Sequence, residues 1–147
     1  MSAETFLDTN VLVYCFDSGE PEKQRRARDL VEEALRDGSA IISTQVVQEF
    51  LSLATRKFAK AFVGDDLRAY LDCVLAPMCK VSSDPALLGF ALEIKDETGY
   101  SFCDSLIVAG ALHDGCSRLS SEDLQAGRAI RGLIIENPFR GLNPEKK

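Results

Sequence analysis

The chain has 147 residues, of which 46% are hydrophobic and 27% are charged, and its formal net charge is −6. This composition is ordinary for a globular domain and excludes intrinsic disorder. A chain of this length buries roughly two-thirds of its extended surface when it folds, which is enough for one core without disulfide bonds. The negative net charge argues against a broad nucleic-acid-binding surface, because neutralising phosphates requires many Lys and Arg side chains.

The cysteines, the histidine and the N-terminal residues argue against several other classes of protein. The single histidine, His113, falls near the end of an apolar helix, where the negative end of the helix dipole explains it better than catalysis does. The N-terminal residues lack a basic and apolar signal pattern, and no stretch reaches the ~18 apolar residues of a membrane span. We therefore expect a cytoplasmic protein without a membrane partner. Five scattered cysteines are expected to be reduced packing residues, namely Cys15, Cys73, Cys79, Cys103 and Cys116.

Strand and helix patterns alternate along the chain. Strands are predicted at five places, 5–7, 40–42, 79–81, 118–120 and 133–136. Helices are predicted after Asp8 and over 21–35, 44 to about 62, 65–75 (ending before Pro77), 85–99 and 102–115. This alternation implies an α/β fold with a mostly parallel sheet covered by helices on both faces. We expect one domain over residues 1–140 and a C-terminal tail over residues 141–147.

Acidic residues follow several of the predicted strands. Asp8 comes directly after the first strand, and Asp104 begins a helix that is apolar all round. Glu49 lies on the helix after the second strand, and Asp123 follows the fourth. In parallel α/β sheets, ligands bind in the crevice beyond the carboxyl ends of the strands. We therefore expect these four acids to form one acidic pocket.

Two of these acids could instead serve as helix caps. Asp8, Thr9 or Asn10 could cap the short helix that follows the first strand. Ser101 and Asp104 are three residues apart, which is the spacing of a capping box. Both roles are compatible with a position in a functional site.

The other two acids also have simpler explanations. Glu49 falls at the rim of the apolar arc of its helix, where a carboxylate could be solvated. Ser120 and Asp123 again have the spacing of a capping box, and Glu122 competes with Asp123 for any role in the site. The sequence leaves these alternatives open.

Four converging carboxylates would repel one another unless a cation neutralised them. No adjacent Lys or Arg is an obvious partner. Hard divalent cations prefer oxygen ligands, and Mg²⁺ keeps several waters, so a few carboxylates are enough. Such an ion makes hydroxide from bound water and stabilises charge on a phosphate. The sequence therefore predicts metal-assisted phosphodiester hydrolysis.

Two basic clusters lie on predicted helices, each after an acid motif. The first spans residues 23–28, and the second comprises Arg56, Lys57 and Lys60. A solvated helix face explains either cluster alone. Together, around an acidic centre, they could hold a phosphate backbone.

Four motifs in order along the chain carry a family resemblance. They are Leu7-Asp8-Thr9-Asn10, Gln48-Glu49-Phe50, the segment 101–109 and the segment 119–124. This ordered set resembles PIN-domain ribonucleases, and it is most similar to the VapC toxins of type II (VapBC) toxin–antitoxin pairs. The resemblance implies a five-stranded parallel sheet, a Mg²⁺ or Mn²⁺ cofactor and endonucleolytic hydrolysis of RNA.

Carried over by position, the resemblance assigns roles to the acids. Asp8 and Asp104 would be the principal metal ligands. Glu49 and Asp123 would complete the catalytic site or orient the attacking water. The hydrogen-bonding partners of these acids would be Asn10 and Ser121.

The resemblance also implies a homodimer and an inhibitory, VapB-like antitoxin partner. Cys103 stands where relatives often have Trp, so packing beside the predicted metal ligand could differ. Apolar residues near the turn between the third and fourth helices could serve the dimer or antitoxin interface, with core packing as their default role. These residues are Phe62, Leu67, Tyr70 and Leu71.

Three other functions are alternatives to an RNA-cleaving enzyme. A haloacid-dehalogenase-like phosphatase needs a second Asp two residues after the first, and Asn10 cannot replace it. A receiver-type phosphoacceptor needs an acidic pair near the N-terminus, whereas Asp65-Asp66 lies mid-chain. The remaining alternative is a non-catalytic PIN-fold module that binds a protein or RNA partner. Metal-dependent cleavage would discriminate it from a nuclease.

Overall fold

A six-stranded sheet forms the centre of the computed structural model, which describes residues 3–142. Its strands are β1 (Thr5–Leu7), β2 (Ala40–Ser43), β3 (Cys79–Val81), β4 (Arg118–Ser120), β5 (Ala129–Ile130) and β6 (Leu133–Glu136). They pair in the order β3-β2-β1-β4-β6-β5. All pairs are parallel except the one between β5 and β6. The predicted α/β fold with a mostly parallel sheet is confirmed, and β5 is a sixth strand beyond the predicted five.

A two-residue turn joins β5 to β6. Its central residues, Arg131 and Gly132, both have positive φ angles of 50° and 88°. This combination is typical of the type I′ turns that fit the twist of antiparallel strands. Arginine is uncommon at positive φ. The sequence therefore carried only a weak signal for this hairpin.

The described part of the chain has seven α-helices around the sheet. They are α1 (Thr9–Tyr14), α2 (Pro21–Asp37), α3 (Thr44–Arg56), α4 (Asp66–Tyr70), α5 (Ala76–Met78), α6 (Pro85–Thr98) and α7 (Phe102–His113). A 3₁₀ turn spans Ala59–Ala61, and a π-helical stretch spans Leu71–Leu75. Within residues 3–142, no helix is both long enough and apolar enough to cross a membrane.

Helix α3 ends at Arg56, earlier than the predicted end near Phe62. Beyond this end the chain turns back, so that aromatic rings pack on Phe16. The ring centroids of Phe58 and Phe62 lie 6.5 and 4.9 Å from that of Phe16. Burying these rings against Phe16 competes with continuing the helix. The local sequence does not reveal this contact, because Phe16 lies far from it in the chain.

The predicted helix end before Pro77 is wrong. Helical structure continues through Pro77 to Met78, after the π-helical stretch. Proline has no N–H, and its ring clashes with the carbonyl four residues earlier, here that of Cys73. Cys73 lies inside the π-helical stretch, whose wider turn accommodates this clash.

Helix α7 is the central helix of the core. Ser101 caps its N-terminus, and the helix is buried from Ser105 to Ala111. A Cβ atom on Gly110 would lie 3.5 Å from the Phe6 ring of β1, so the helix packs closely on the sheet. Because α7 leads into β4 and runs antiparallel to it, its N-terminus lies at the carboxyl end of the sheet. Asp104 is thereby brought to the same edge as Asp8.

Candidate active site

An acidic pocket of about 530 Å³ lies at the carboxyl ends of β1 and β2. Four separate elements supply its acids: the start of α1, the middle of α3, the first turn of α7 and the loop after β4. The structure therefore brings together all four of the acids identified in the sequence, Asp8, Glu49, Asp104 and Asp123.

Asp8 is the most buried of these acids, with 8% of its surface exposed. Its Oδ1 accepts a hydrogen bond from the backbone N–H of Thr9 (2.7 Å), and its Oδ2 accepts one from Ser121 Oγ (2.8 Å). The pKa of Asp8 is raised to about 6: burial is the main cause, the two hydrogen bonds oppose the rise, and the charges of Asp123 and Glu49 add to it. Asp8 therefore caps α1 and also faces the pocket as an acid whose charge a cation would stabilise.

Glu49 is half-buried, and both of its carboxylate oxygens accept hydrogen bonds. Thr9 Oγ1 donates to Oε1 (2.6 Å), and Gln45 Nε2 donates to Oε2 (3.2 Å). The same Gln45 nitrogen also donates to the backbone carbonyl of Cys103 (2.9 Å). Sequence reasoning missed both donors, although Gln45 precedes Glu49 by four residues, the spacing that places side chains on one helix face.

The carboxylate of Asp104 is free for the pocket. Ser101 Oγ accepts from the Asp104 backbone N–H (3.1 Å), so one half of the expected capping box forms. The reciprocal bond does not form, and within residues 3–142 no hydrogen bond or ion pair uses the Asp104 carboxylate.

Asp123 is exposed at the edge of the pocket. Its alternative role as a cap is excluded because, as far as residue 142, no helix follows β4. Instead, Ser121 Oγ accepts a hydrogen bond from the backbone N–H of Leu124 (3.3 Å) and so closes a short turn. The hydroxyl that holds Asp8 therefore also shapes the loop that carries Asp123.

Glu122 does not line the pocket. Lys23 Nζ lies 2.6 Å from Glu122 Oε2, and the two side chains are 21% and 23% exposed. Tyr14 donates its hydroxyl to Glu122 Oε1 (2.5 Å), and the Lys23 ammonium lies 4.9 Å from the Tyr14 ring centre. The hydrogen bond to Glu122 raises the pKa of Lys23. This pairing leaves Asp123 as the acid of this loop in the pocket.

Asn10 and Cys103 also line the pocket. Both polar atoms of the Asn10 amide are buried and find no hydrogen-bond partner among residues 3–142, so the expected bond to an acid is absent. Cys103 is exposed, and none of the five cysteines forms a disulfide.

The two basic clusters differ in their relation to the pocket. Arg56 of the second cluster lines it, whereas no side chain of residues 23–28 does. Arg26 Nη1 donates to the Pro138 carbonyl (2.9 Å), and Arg28 Nε donates to the Cys15 carbonyl (2.9 Å). Residues 23–28 therefore do not line the pocket, and Lys23, Arg26 and Arg28 are engaged by other parts of the fold.

A larger groove of about 940 Å³ lies elsewhere, between α2 and the strands β1, β4 and β6. It contains none of the four acids, and its charges are mixed in sign. Arg118 Nε lies 3.9 Å from Glu136 Oε2 within it. The acidic pocket is the smaller of these two cavities, but it is the one that all four acids line.

The donor atoms of the acidic pocket suit a hard divalent cation. Within residues 3–142, no three His, Cys, Asp or Glu side chains stand close enough to form a complete metal site. Mg²⁺ is commonly bound by only one or two carboxylates and keeps several waters. The unpartnered oxygen of Asn10 and the free carboxylate of Asp104 add oxygen donors to the raised-pKa Asp8.

Three solved structures are among those similar to this chain. A toxin–antitoxin complex from Klebsiella pneumoniae matches with a TM-score of 0.64 and 16% identity, covering 91% of this chain and 97% of that chain. VapBC2 from Rickettsia felis, bound to a DNA fragment from their promoter, matches with a TM-score of 0.60 and 18% identity, covering 90% and 97%. Mycobacterium tuberculosis VapC20, a sarcin–ricin loop cleaving toxin, matches with a TM-score of 0.58 and 22% identity, covering 81% and 89%. These TM-scores show a shared fold.

A comparison of the sequence with curated proteins finds no match. The family model described as PIN domain matches residues 5–130, a span that includes β1, the four acids and most of the sheet. The chain therefore belongs to the PIN-domain family.

Proposed function

We propose that the protein is a Mg²⁺- or Mn²⁺-dependent endoribonuclease that acts as the toxin of a toxin–antitoxin pair. One observation carries the proposal: four carboxylates from four separate elements line one pocket, and the pKa of the most buried one is raised to about 6. Such a cluster is costly to assemble without a cation. Membership of the PIN-domain family supports nuclease activity as the function that this cluster serves.

The side chains of the pocket have distinct roles in this proposal. Asp8 and Asp104 would hold the cation, which when bound supplies Lewis-acid activation of water and charge stabilisation on the phosphate. Ser121 and the backbone of Thr9 hold the two oxygens of Asp8 in place. Glu49 and Asp123 complete the site or orient the attacking water, and Asn10 offers its unpartnered amide to the same space.

Arg56 is proposed to contact the phosphate backbone of the substrate. It lines the pocket opposite an excess of negative charge, where it could offset repulsion between the acids and an RNA phosphate. The net charge of −6 leaves little surface for sequence-independent duplex binding. We therefore propose an exposed single-stranded loop of a folded RNA as the substrate, because its splayed backbone can approach a small pocket. The description of VapC20 as a toxin that cleaves the sarcin–ricin loop supports this choice.

The proposed partners are an antitoxin and a second copy of the chain. Two of the similar structures are described as a toxin–antitoxin complex and as VapBC2, which supports an antitoxin. The predicted interface residues Phe62, Leu67, Tyr70 and Leu71 are partly buried and pack against the core, so they offer only their outer surfaces to a partner. The cytoplasmic location stays a prediction.

Cleavage of a hairpin RNA by the purified protein tests the proposal. Wild type should cut within the loop in the presence of Mg²⁺ or Mn²⁺. Cleavage should stop when EDTA is added. Asp8→Asn and Asp104→Asn should each abolish cleavage while keeping native circular dichroism. Asp96→Asn is the matched control, because Asp96 is exposed on α6 and does not line the pocket.

Two outcomes would contradict the proposal. A wild-type protein that binds a partner but cuts no RNA in either metal would favour the non-catalytic interaction module. A folded Asp8→Asn variant that cuts at the wild-type rate would remove Asp8 from the catalytic site. Co-expression with the product of a neighbouring short reading frame tests the antitoxin separately, and light scattering tests the homodimer.

A further inference from the structure

Two neutral residues connect three of the acids in the pocket. Thr9 donates its backbone N–H to Asp8 Oδ1 (2.7 Å) and its hydroxyl to Glu49 Oε1 (2.6 Å). Gln45 donates its amide to Glu49 Oε2 (3.2 Å) and to the carbonyl of Cys103 (2.9 Å), the residue before Asp104. The chain of bonds therefore runs from the end of β1 through α3 to the first turn of α7.

Resting on the proposed function, we infer that Thr9 and Gln45 are positioning residues that fix the spacing of Asp8, Glu49 and Asp104. Neither side chain needs to touch the cation or the RNA for this role. Each acts through the carboxylate or the backbone group that it holds.

Electrostatic repulsion explains why the Glu49 carboxylate needs hydrogen bonds to hold it in place. The charge of Glu49 contributes to the raised pKa of Asp8, so the two carboxylates repel each other across the pocket. Glu49 is only half-buried on a long, flexible side chain, and repulsion would favour rotamers that point to water. Hydrogen bonds to both of its oxygens select the rotamer that faces the pocket.

The Gln45 amide is oriented so that its nitrogen donates to two acceptors, Glu49 Oε2 and the Cys103 carbonyl. Gln45 is 7% exposed, and its Oε1 finds no hydrogen-bond partner among residues 3–142. Rotating the amide by half a turn would aim Oε1 at the Glu49 carboxylate and at the Cys103 carbonyl, which can only accept hydrogen bonds. The position therefore requires a donor that reaches two acceptors, and an apolar side chain of the same size would fill the space without holding either.

Isosteric substitutions separate positioning from packing. Thr9→Val keeps the shape of the side chain and removes its hydroxyl, whereas Thr9→Ser keeps the hydroxyl. Gln45→Met keeps the length and removes the amide. The control is Gln125→Glu, which adds a charge at an exposed residue outside the pocket.

The readouts are kcat and KM on one hairpin RNA, Mn²⁺ affinity from the electron paramagnetic resonance of free Mn²⁺, and melting temperature in EDTA. Residues that hydrogen-bond to metal ligands typically contribute about 10- to 100-fold to activity or metal affinity. Thr9→Val and Gln45→Met should therefore lower kcat by about 10- to 100-fold with KM unchanged, and should weaken Mn²⁺ binding. Thr9→Ser should recover most of both values, and Gln125→Glu should match wild type.

Wild-type kcat and Mn²⁺ affinity in folded Thr9→Val and Gln45→Met would overturn the positioning role. So would a Thr9→Ser variant as defective as Thr9→Val, since the hydroxyl would then be irrelevant. If Gln45→Met does not fold, the Thr9 pair decides alone. A wild type that neither binds Mn²⁺ nor cuts RNA would refute the proposed function itself, which is a different result from active wild type with unaffected variants.

Discussion

Replacing Asp8 by Asn should stabilise the protein in the absence of metal. The pKa of Asp8 is raised from 3.8 to about 6, mainly by burial. Because each tenfold change in proton affinity corresponds to about 1.4 kcal/mol, keeping this carboxylate charged at neutral pH costs about 3 kcal/mol of folding free energy. Asn has one carbonyl oxygen and so loses one of the two hydrogen bonds from Thr9 and Ser121, at a cost of about 1 kcal/mol. The expected net gain at neutral pH is about 2 kcal/mol.

The gain should depend on pH in a defined direction. A folded-state pKa above the unfolded value means that the folded protein binds the proton more tightly. The Asp8 contribution to stability is therefore fully present below about pH 4 and is lost as the pH rises through about 6. At about pH 5 the cost of the charge falls to roughly half of its neutral value. The advantage of Asp8→Asn should then shrink to less than about 1 kcal/mol.

Urea unfolding followed by circular dichroism in EDTA, at about pH 7.5 and about pH 5, measures both values. Asp96→Asn serves as the control and should stay within about 0.5 kcal/mol of wild type, since its side chain is exposed. The reasoning is refuted if Asp8→Asn is no more stable than wild type at neutral pH. A stability difference that is the same at both pH values would show that the charge of Asp8 is not its cause.

Three further predictions concern the metal, the substrate and the loop after β4. Titrating Mn²⁺ into wild type should raise the melting temperature by mass action, and Asp104→Asn should reduce that rise; an unchanged wild-type melting temperature would count against the metal site. Arg56→Gln should weaken RNA binding in fluorescence anisotropy and lower the salt slope by about one, more than Lys60→Gln does, and equal slopes would remove the role of Arg56. Lys23→Met should destabilise the protein to urea by about 1–3 kcal/mol, because Glu122 then loses its charge partner. Adding Glu122→Gln should recover most of this loss, and a double variant as unstable as Lys23→Met alone would contradict the pairing.

The order of elements could be predicted because its signals are local. Short strands followed by helical periodicity are visible within short windows, and so is the cap at Ser101. The predictions failed where a tertiary contact changed the local preference. Aromatic packing on Phe16 ends α3 early, and a π-helical stretch carries the chain through Pro77.

The acids of the candidate site were predictable for a similar reason. Asp8 and Asp104 stand at the end of a strand and at the start of a buried helix, positions that a parallel α/β fold directs to one edge of the sheet. Glu49 and Asp123 come after the second and fourth strands, so the same rule predicted them, and the PIN resemblance assigned their roles. The strand pattern alone did not exclude Glu122 in place of Asp123, because that distinction depends on Lys23 reaching Glu122 from a distant helix.

The sequence by itself determined the family, the alternation of strands and helices and the identity of the acids, since each depends on residues close together in the chain. Only the tertiary structure decided how those acids are held. Thr9 is hydrogen-bonded to Glu49, 40 positions away in the chain, and Ser121 is hydrogen-bonded to Asp8, 113 positions away. Such pairs form because the parallel crossovers place β2 and β4 on either side of β1. No local pattern encodes that proximity, and the hydrogen bonds that orient the acids depend on it.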